Sequence, residues 1–240
     1  MASTAESSVE SLQDNAYRFI RRRIVYMEYL PGEKLSFKRL MEDLQIGRTP
    51  VRESLVRLQQ EGLVNTVPQS GTYVSRISLA TAQSARFVRE ELERAVAVEC
   101  CCRASIVDVD AIDRALDLQR RAAATHDEGD FFISDDLMHR ALFDIAGRSE
   151  VWSWLSASNT DLERYRRLRA ATEGLAWDSI MDEHQRIREA IVRRDPMEVR
   201  YLISKHLRMM LADQARVVAA YPDYFTEDSP ALAGVPGSAS

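Results

Sequence analysis

The apolar residues of this chain change their period once, just after Gly62, and that switch constrains the fold more than any other feature. Before it, every segment reads helical. From Asn15 to Leu30 the residues Tyr17, Ile20, Ile24 and Met27 recur at spacings of three and four, and Pro31-Gly32 stops the run. Ser36 offers an N-cap to a short second helix carrying Leu40, Met41 and Leu44, which ends near Gln45 to Gly47. A third helix starts around Arg48. It accepts Pro50 in its first turn, where no intrahelical donor is lost, buries Val51, Leu55 and Leu58, and stops at Gly62, a residue suited to a left-handed cap. After Gly62 two short β-branched runs, Leu63 to Val67 and Thr72 to Ser75, flank Pro68-Gln69-Ser70-Gly71, which is the pattern of a hairpin. Three helices closed by a hairpin over residues 15–76 are the parts of a winged helix-turn-helix.

From Leu79 to about Ala220 only the helical period returns, in six segments near 79–105, 108–125, 129–146, 149–170, 175–193 and 196–220. Asp195-Pro196, an N-cap followed by a first-turn proline, marks the start of the last. The expected fold class is therefore mostly α: an N-terminal winged helix-turn-helix over 15–76, a linker at 77–82 and an all-α helical bundle over 83–222. Residues 1–14 and 223–240, polar and small without any period, are expected as disordered tails. No apolar run approaches the roughly 18 residues of a membrane helix, and the polar start lacks the order of a signal peptide, so the cytoplasm is the expected location and no membrane partner is expected. Cys100, Cys101 and Cys102 are neighbours and cannot build a disulfide framework.

Charge is divided unevenly. Residues 15–78 hold 11 Lys and Arg against 6 Asp and Glu, whereas residues 79–240 hold 21 against 28. A basic module preceding an acidic one is compatible with phosphate contact at one end.

The strings Pro31-Gly32-Glu33-Lys34-Leu35, Gly47-Arg48-Thr49-Pro50-Val51-Arg52-Glu53-Ser54-Leu55, Glu61-Gly62-Leu63-Val64 and Gly71-Thr72-Tyr73-Val74 fall in one register. Together they resemble the DNA-binding domain of the GntR family of bacterial transcription regulators. The helical remainder is similar to the effector domain of the FadR subfamily, the FCD domain, in its six-helix VanR-like form. Three positions depart from the family pattern. Gln45 stands where a glycine is usual, and Gly47 replaces a hydroxyl residue at the start of the recognition helix, while Ser70 takes the place of a basic wing residue.

The inward stripe of the third helix leaves Arg48, Thr49, Arg52 and Glu53 facing outward or sideways at its first turns. An arginine there can donate two hydrogen bonds to guanine O6 and N7, which discriminates bases by roughly 1–3 kcal/mol. Thr49 can hold a phosphate or a thymine methyl. The resemblance adds Lys38 as a DNA contact, and Gly71 lets the wing tip approach a groove closely. The bland alternative is that Arg48 and Arg52 are solvated helix charges paired with acidic neighbours. Double-stranded DNA carrying a palindromic operator, read by a homodimer at the bacterial nucleoid, is the partner this implies.

Of the four histidines, His126 sits in a polar connector. The others interrupt apolar stripes. His139 follows Asp135 by one helical turn on a face with Phe132 and Leu142, His184 lies among Ile180, Ile187 and Ile191, and His206 lies near Leu202 and Ile203. One such histidine is usually a satisfied core residue, but three with an aspartate are costly to bury unless a cation binds them. Asp135, His139, His184 and His206 suit a divalent metal, with Zn2+ leading Ni2+, Mn2+ and Fe2+ and with positions left for a ligand oxygen. The same order of residues occurs in many FCD domains. Such a site implies a small carboxylate or hydroxy-acid effector, with an arginine at its other end. Arg89 matches a family position for that role, against the alternative of an intrahelical pair with Glu93, and Arg140, Arg164 and Arg166 are further candidates.

The leading expectation is a regulator, a repressor, and not an enzyme. The competing readings are a metal-dependent enzyme fused to a DNA-binding module and a helical scaffold whose polar core residues satisfy one another. No H-E-x-x-H or E-x-x-H pattern is present, and Glu183, adjacent to His184, is expected to point away from a shared site.

Overall fold

Ser11 opens the first helix by accepting a hydrogen bond from the Asp14 amide at 3.0 Å. Helix α1 (Leu12–Val25) thus begins inside the stretch expected as a tail. The structure, a computed structural model, describes residues 11–174 and 176–227. Most of each expected tail, 1–10 and 228–240, lies outside the described residues.

The chain continues through β1 (Lys34–Leu35), α2 (Phe37–Leu44), α3 (Arg48–Gln60), β2 (Val64–Val67) and β3 (Gly71–Val74). Ser36 caps α2 as its sequence implies, with the Arg39 amide 3.3 Å from its hydroxyl. Gln45 then takes the left-handed conformation, φ 54°, that a glycine would adopt without strain, and its amide group donates to the Glu42 carbonyl. The strands form an antiparallel sheet in the order β1-β3-β2, with Lys34 and Asn65 both opposite Tyr73. Strand β1 has no signature in the sequence because two residues cannot display a period. Ile20, Ile24, Leu40, Val51, Leu58 and Leu63 fill the core of this unit.

One further piece completes it. Residues 223–226, expected as tail, belong to the same compact unit as residues up to Ile77. The Ile77 amide donates to the Tyr224 carbonyl at 2.8 Å, the Thr226 amide donates to the Ile77 carbonyl at 3.0 Å, and both Ile77 and Phe225 are buried. An aromatic residue in a polar stretch gives no periodic signal, so only its burial identifies it as core.

The second unit is helical: α4 (Leu79–Arg103), α5 (Ile106–Thr125), α6 (Glu128–Ile145), α7 (Ser149–Ser158), α8 (Thr160–Glu173), α9 (Trp177–Val192), α10 (Pro196–Arg208) and α11 (Gln214–Ala220). Ser78 caps α4 directly, so residues 79–82 are helix where a linker was expected. A reciprocal Ser105–Asp108 capping box starts α5. Two of the six expected segments are divided. The one near 149–170 breaks at Asn159, whose side chain is buried and donates to Glu163 Oε1 at 2.9 Å. The last one passes through a 3-10 turn, Met209–Leu211, and a corner at Ala212 and Asp213. Among the described residues no helix is long and apolar enough to cross a membrane. Cys100 and Cys101 are buried, and burial pushes their thiols up, to about 12 and about 11.

Candidate functional site

Helices α6, α9 and α10 each turn a histidine toward one point. Asp135 and His139, one turn apart on α6, are both fully buried, as is His184 on α9, and His206 on α10 is nearly so. One ligand atom from each of the four lies within 4.8 Å of every other. That is close to the span of donors placed about 2.1 Å from a single ion.

The ring orientations are set from outside this group. His139 Nδ1 lies 2.6 Å from Glu93 Oε2, His184 Nδ1 lies 2.8 Å from Gln119 Oε1, and His206 Nδ1 lies 2.9 Å from Glu183 Oε2. Each of these oxygens can only accept, so each Nδ1 carries a hydrogen and each Nε2 is the ring nitrogen left to face inward. His139 Nε2 is buried without a hydrogen-bond partner. Burial, and for His184 the neighbouring His206, hold the His139 and His184 rings below the usual imidazole range, so they are neutral at pH 7. Burial works to raise the Asp135 carboxyl, but Arg166, 2.6 Å away, and the surrounding rings hold it well below the usual range. Neutral nitrogens and one ionised carboxylate are the protonation states that bind a divalent cation.

Glu93 and Gln119 lie on other helices than the histidines, and sequence reasoning missed the contacts that they and Glu183 make with the rings. Glu183 corrects an expectation outright. It does not point away from the cluster but reaches it through His206, because α10 brings that ring to the flank of α9 where Glu183 projects.

A cavity of about 60 Å³ adjoins the cluster. Asp135 and His206 of the cluster line it together with Arg166, Arg169, Phe132 and Met210. Of the arginines expected to face an effector, only Arg166 is there. Arg89 is buried and pairs with Glu93 at 2.6 Å and Glu163 at 3.3 Å, which is the intrahelical alternative its spacing allowed, and it braces the carboxylate that holds His139. Arg140 is exposed and pairs with Asp144, and Arg164 is buried against Asp161. His126, exposed, caps the end of α5 in the left-handed conformation beside Trp177.

In the winged unit, Val51, Leu55 and Leu58 form the buried stripe of α3, joined by Ser54, whose hydroxyl donates to the Pro50 carbonyl. Arg48, Thr49 and Arg52 are exposed. Arg48 lies over the Phe37 ring at 5.6 Å, and Arg52 makes no hydrogen bond or ion pair among the described residues. The acidic pairing that would make it an ordinary surface charge is absent there. Lys38 is exposed, with Glu42 at 3.9 Å. Gly71 has φ +140°, and a Cβ on it would come 2.7 Å from Cε of Lys34. Lys34 therefore lies across the wing tip, a cation that sequence reasoning missed because it looked for one beside Ser70.

The description "Bacterial regulatory proteins, gntR family" matches residues 12–74, and the FCD domain matches residues 85–209. An HTH-type transcriptional regulator from an unstable DNA locus of Streptomyces ambofaciens is 30% identical over 94% of both chains. The chain belongs to the GntR family, with an FCD domain. A second GntR-type relative, the HTH-type transcriptional repressor RspR of Escherichia coli K12, is 27% identical over 94% of this chain and 98% of its own. The fold is shared with E. coli McbR/YncC, at a TM-score of 0.73 and 18% identity over 89% of this chain and all of that one. A putative GntR regulator from Rhodococcus sp. RHA1 gives 0.70 and 19% over 88% and 100%. This GntR protein is thus a DNA-binding transcription regulator, and the reading as an enzyme finds no support.

Proposed function

We propose that this regulator is a metal-dependent repressor whose operator affinity is tuned by a small carboxylate or hydroxy-acid effector bound at a divalent ion in the helical unit. One observation carries the reading: three imidazoles, fixed at Nδ1 by Glu93, Gln119 and Glu183, turn their Nε2 atoms toward the Asp135 carboxylate and one another. Asp135, His139, His184 and His206 would hold the ion, with Zn2+ favoured by the nitrogen-rich set. Once bound, the ion would offer open positions to effector oxygens, and the cavity's arginines, Arg166 and Arg169, stand ready for a second anionic group.

On the DNA side, Arg48 and Arg52 would read base edges, Thr49 and Lys38 would position the backbone, and Gly71 with Lys34 would bring the wing to a groove. A single α3 reads too few base pairs, so two copies on a palindrome complete the site. The exposed Phe87, Val88 and Trp154, on α4 and α7, supply an apolar face for that pairing. A repressor role follows the relative named as one. Such a protein acts in the cytoplasm, on the nucleoid.

The test is reciprocal titration of metal-loaded protein with operator DNA and with a panel of small carboxylates. Operator affinity should change about 5–150-fold with effector, and effector affinity should change by the same factor with operator. No change in either direction would reduce the cluster to a structural element.

A further inference from the structure

The cavity beside the histidine cluster has two cations, and they differ in what already holds them. Arg166 is held firmly: its guanidinium meets Asp135 at 2.6 Å and both oxygens of Glu163 at 3.1 Å, all buried. Arg169, one turn further along α8, has a single acidic partner among the described residues, Asp213 Oδ2, at 3.3 Å from Nε and 3.2 Å from Nη2. That pair is partly open to solvent, with side-chain exposures of 27% and 37%. Exposed pairs of this kind contribute little and exchange readily.

Asp213 occupies an unusual place. It has φ 61°, uncommon for a residue with a side chain, and sits at the corner between the Met209–Leu211 turn and α11. Tyr165, also on α8, donates its hydroxyl to the neighbouring Ala212 carbonyl at 2.6 Å. The corner is therefore clasped by two side chains of α8, and one of the two lies on the cavity. Beyond the corner the chain runs through α11 to Asp223–Thr226, the segment whose Phe225 is buried in the winged unit.

We propose that Arg169 is the distal anchor for a short dicarboxylate effector, and that the ligand takes Arg169 from Asp213 and so releases the corner that leads to the Phe225 segment. The proposal rests on the metal reading above for the other end of the ligand. The cavity's second, weakly held cation selects a second carboxylate over a methyl group. Because the anchor and the corner compete for one guanidinium, binding and release are one equilibrium.

The experiment uses the full-length, metal-loaded protein and calorimetric titration with malonate, succinate, acetate and butyrate. At least one dicarboxylate should bind ten-fold or more tighter than either monocarboxylate. Arg169→Gln should abolish that preference with metal content unchanged, Arg169→Lys should keep part of it, and Asp213→Asn should tighten dicarboxylate binding by removing the competitor. Amide hydrogen exchange across residues 212–226 should quicken when the dicarboxylate binds and not when acetate does. Equal affinities in the wild type, no binding by any of the four, or an Arg169→Gln protein that keeps the preference, each overturns the anchor while a retained metal leaves the metal reading standing. Protein that holds no metal sinks the metal reading alone, and the anchor is then decided by whether Arg169→Gln removes dicarboxylate binding.

Discussion

The Nε2 atoms of His184 and His206 lie 3.2 Å apart, while the Nδ1 hydrogens of both rings are taken by Gln119 and Glu183. At that distance the two nitrogens must share a proton when no ion is present, and a cation between them replaces that shared proton with two bonds. Removal of the ion by chelation and dialysis is therefore expected to lower the thermal midpoint. Free ion a thousand-fold above its Kd corresponds to about 4 kcal/mol of stabilisation. His184→Ala and His206→Ala should lose the metal, and His126→Ala should keep it, as measured by elemental analysis. Metal-free protein with an unchanged midpoint would favour a polar core that satisfies itself.

Glu183 tests the outer layer of the same site. Its carboxylate fixes the His206 ring from the Nδ1 side at 2.9 Å and touches no other member of the cluster. Glu183→Ala should weaken metal binding about 10–100-fold in a chelator competition and leave the helical circular dichroism intact. An unchanged affinity would show that packing alone orients the ring.

How much of this was legible follows from where each signal lives. Asp135 and His139 are one turn apart among apolar residues, and His184 and His206 interrupt clear apolar stripes, so periodicity alone placed all four inside. Their partners were hidden because Glu93 and Gln119 come from α4 and α5, and no local spacing relates a residue to a helix tens of positions away. Arg89 shows the same limit from the other side: its i, i+4 relation to Glu93 was visible, but its complete burial was not. The strand β1 and the Phe225 contact are both too short to carry a period.

Arg52 and Lys38 should separate base reading from backbone contact. Arg52, exposed and without an acidic partner among the described residues, should cost about 1–3 kcal/mol on operator DNA when changed to alanine and relax one base position. Lys38→Ala should weaken operator and random DNA alike and reduce the salt slope by about 1. Equal losses on both DNAs for Arg52→Ala would assign it to the backbone.

Gly71→Ala puts a methyl group 2.7 Å from Lys34 Cε in a backbone conformation that side chains rarely adopt. The expected result is a loss of about 1–3 kcal/mol in stability, with operator affinity reduced as Lys34 is pushed off the wing. Denaturant unfolding and gel-shift titration read the two effects separately.

Phe225→Ala should destabilise the winged unit by about 3–5 kcal/mol, the usual cost of emptying a buried phenylalanine site. Selective loss of hydrogen-exchange protection around Ile77, with the helices from α5 to α9 unaffected, is the expected signature.

The placement of Phe225 also bears on how such proteins can be recombined. A reading head built from one continuous stretch can be joined to a new sensor by a single crossover, but here the head is sewn from both ends of the chain, up to Ile77 and again at Asp223–Thr226. A gene fusion that cuts only after Ile77 would leave that side chain without its phenylalanine cover, and a successful graft must carry the late segment as well. For this chain, any exchange of head or sensor must keep two junctions in step.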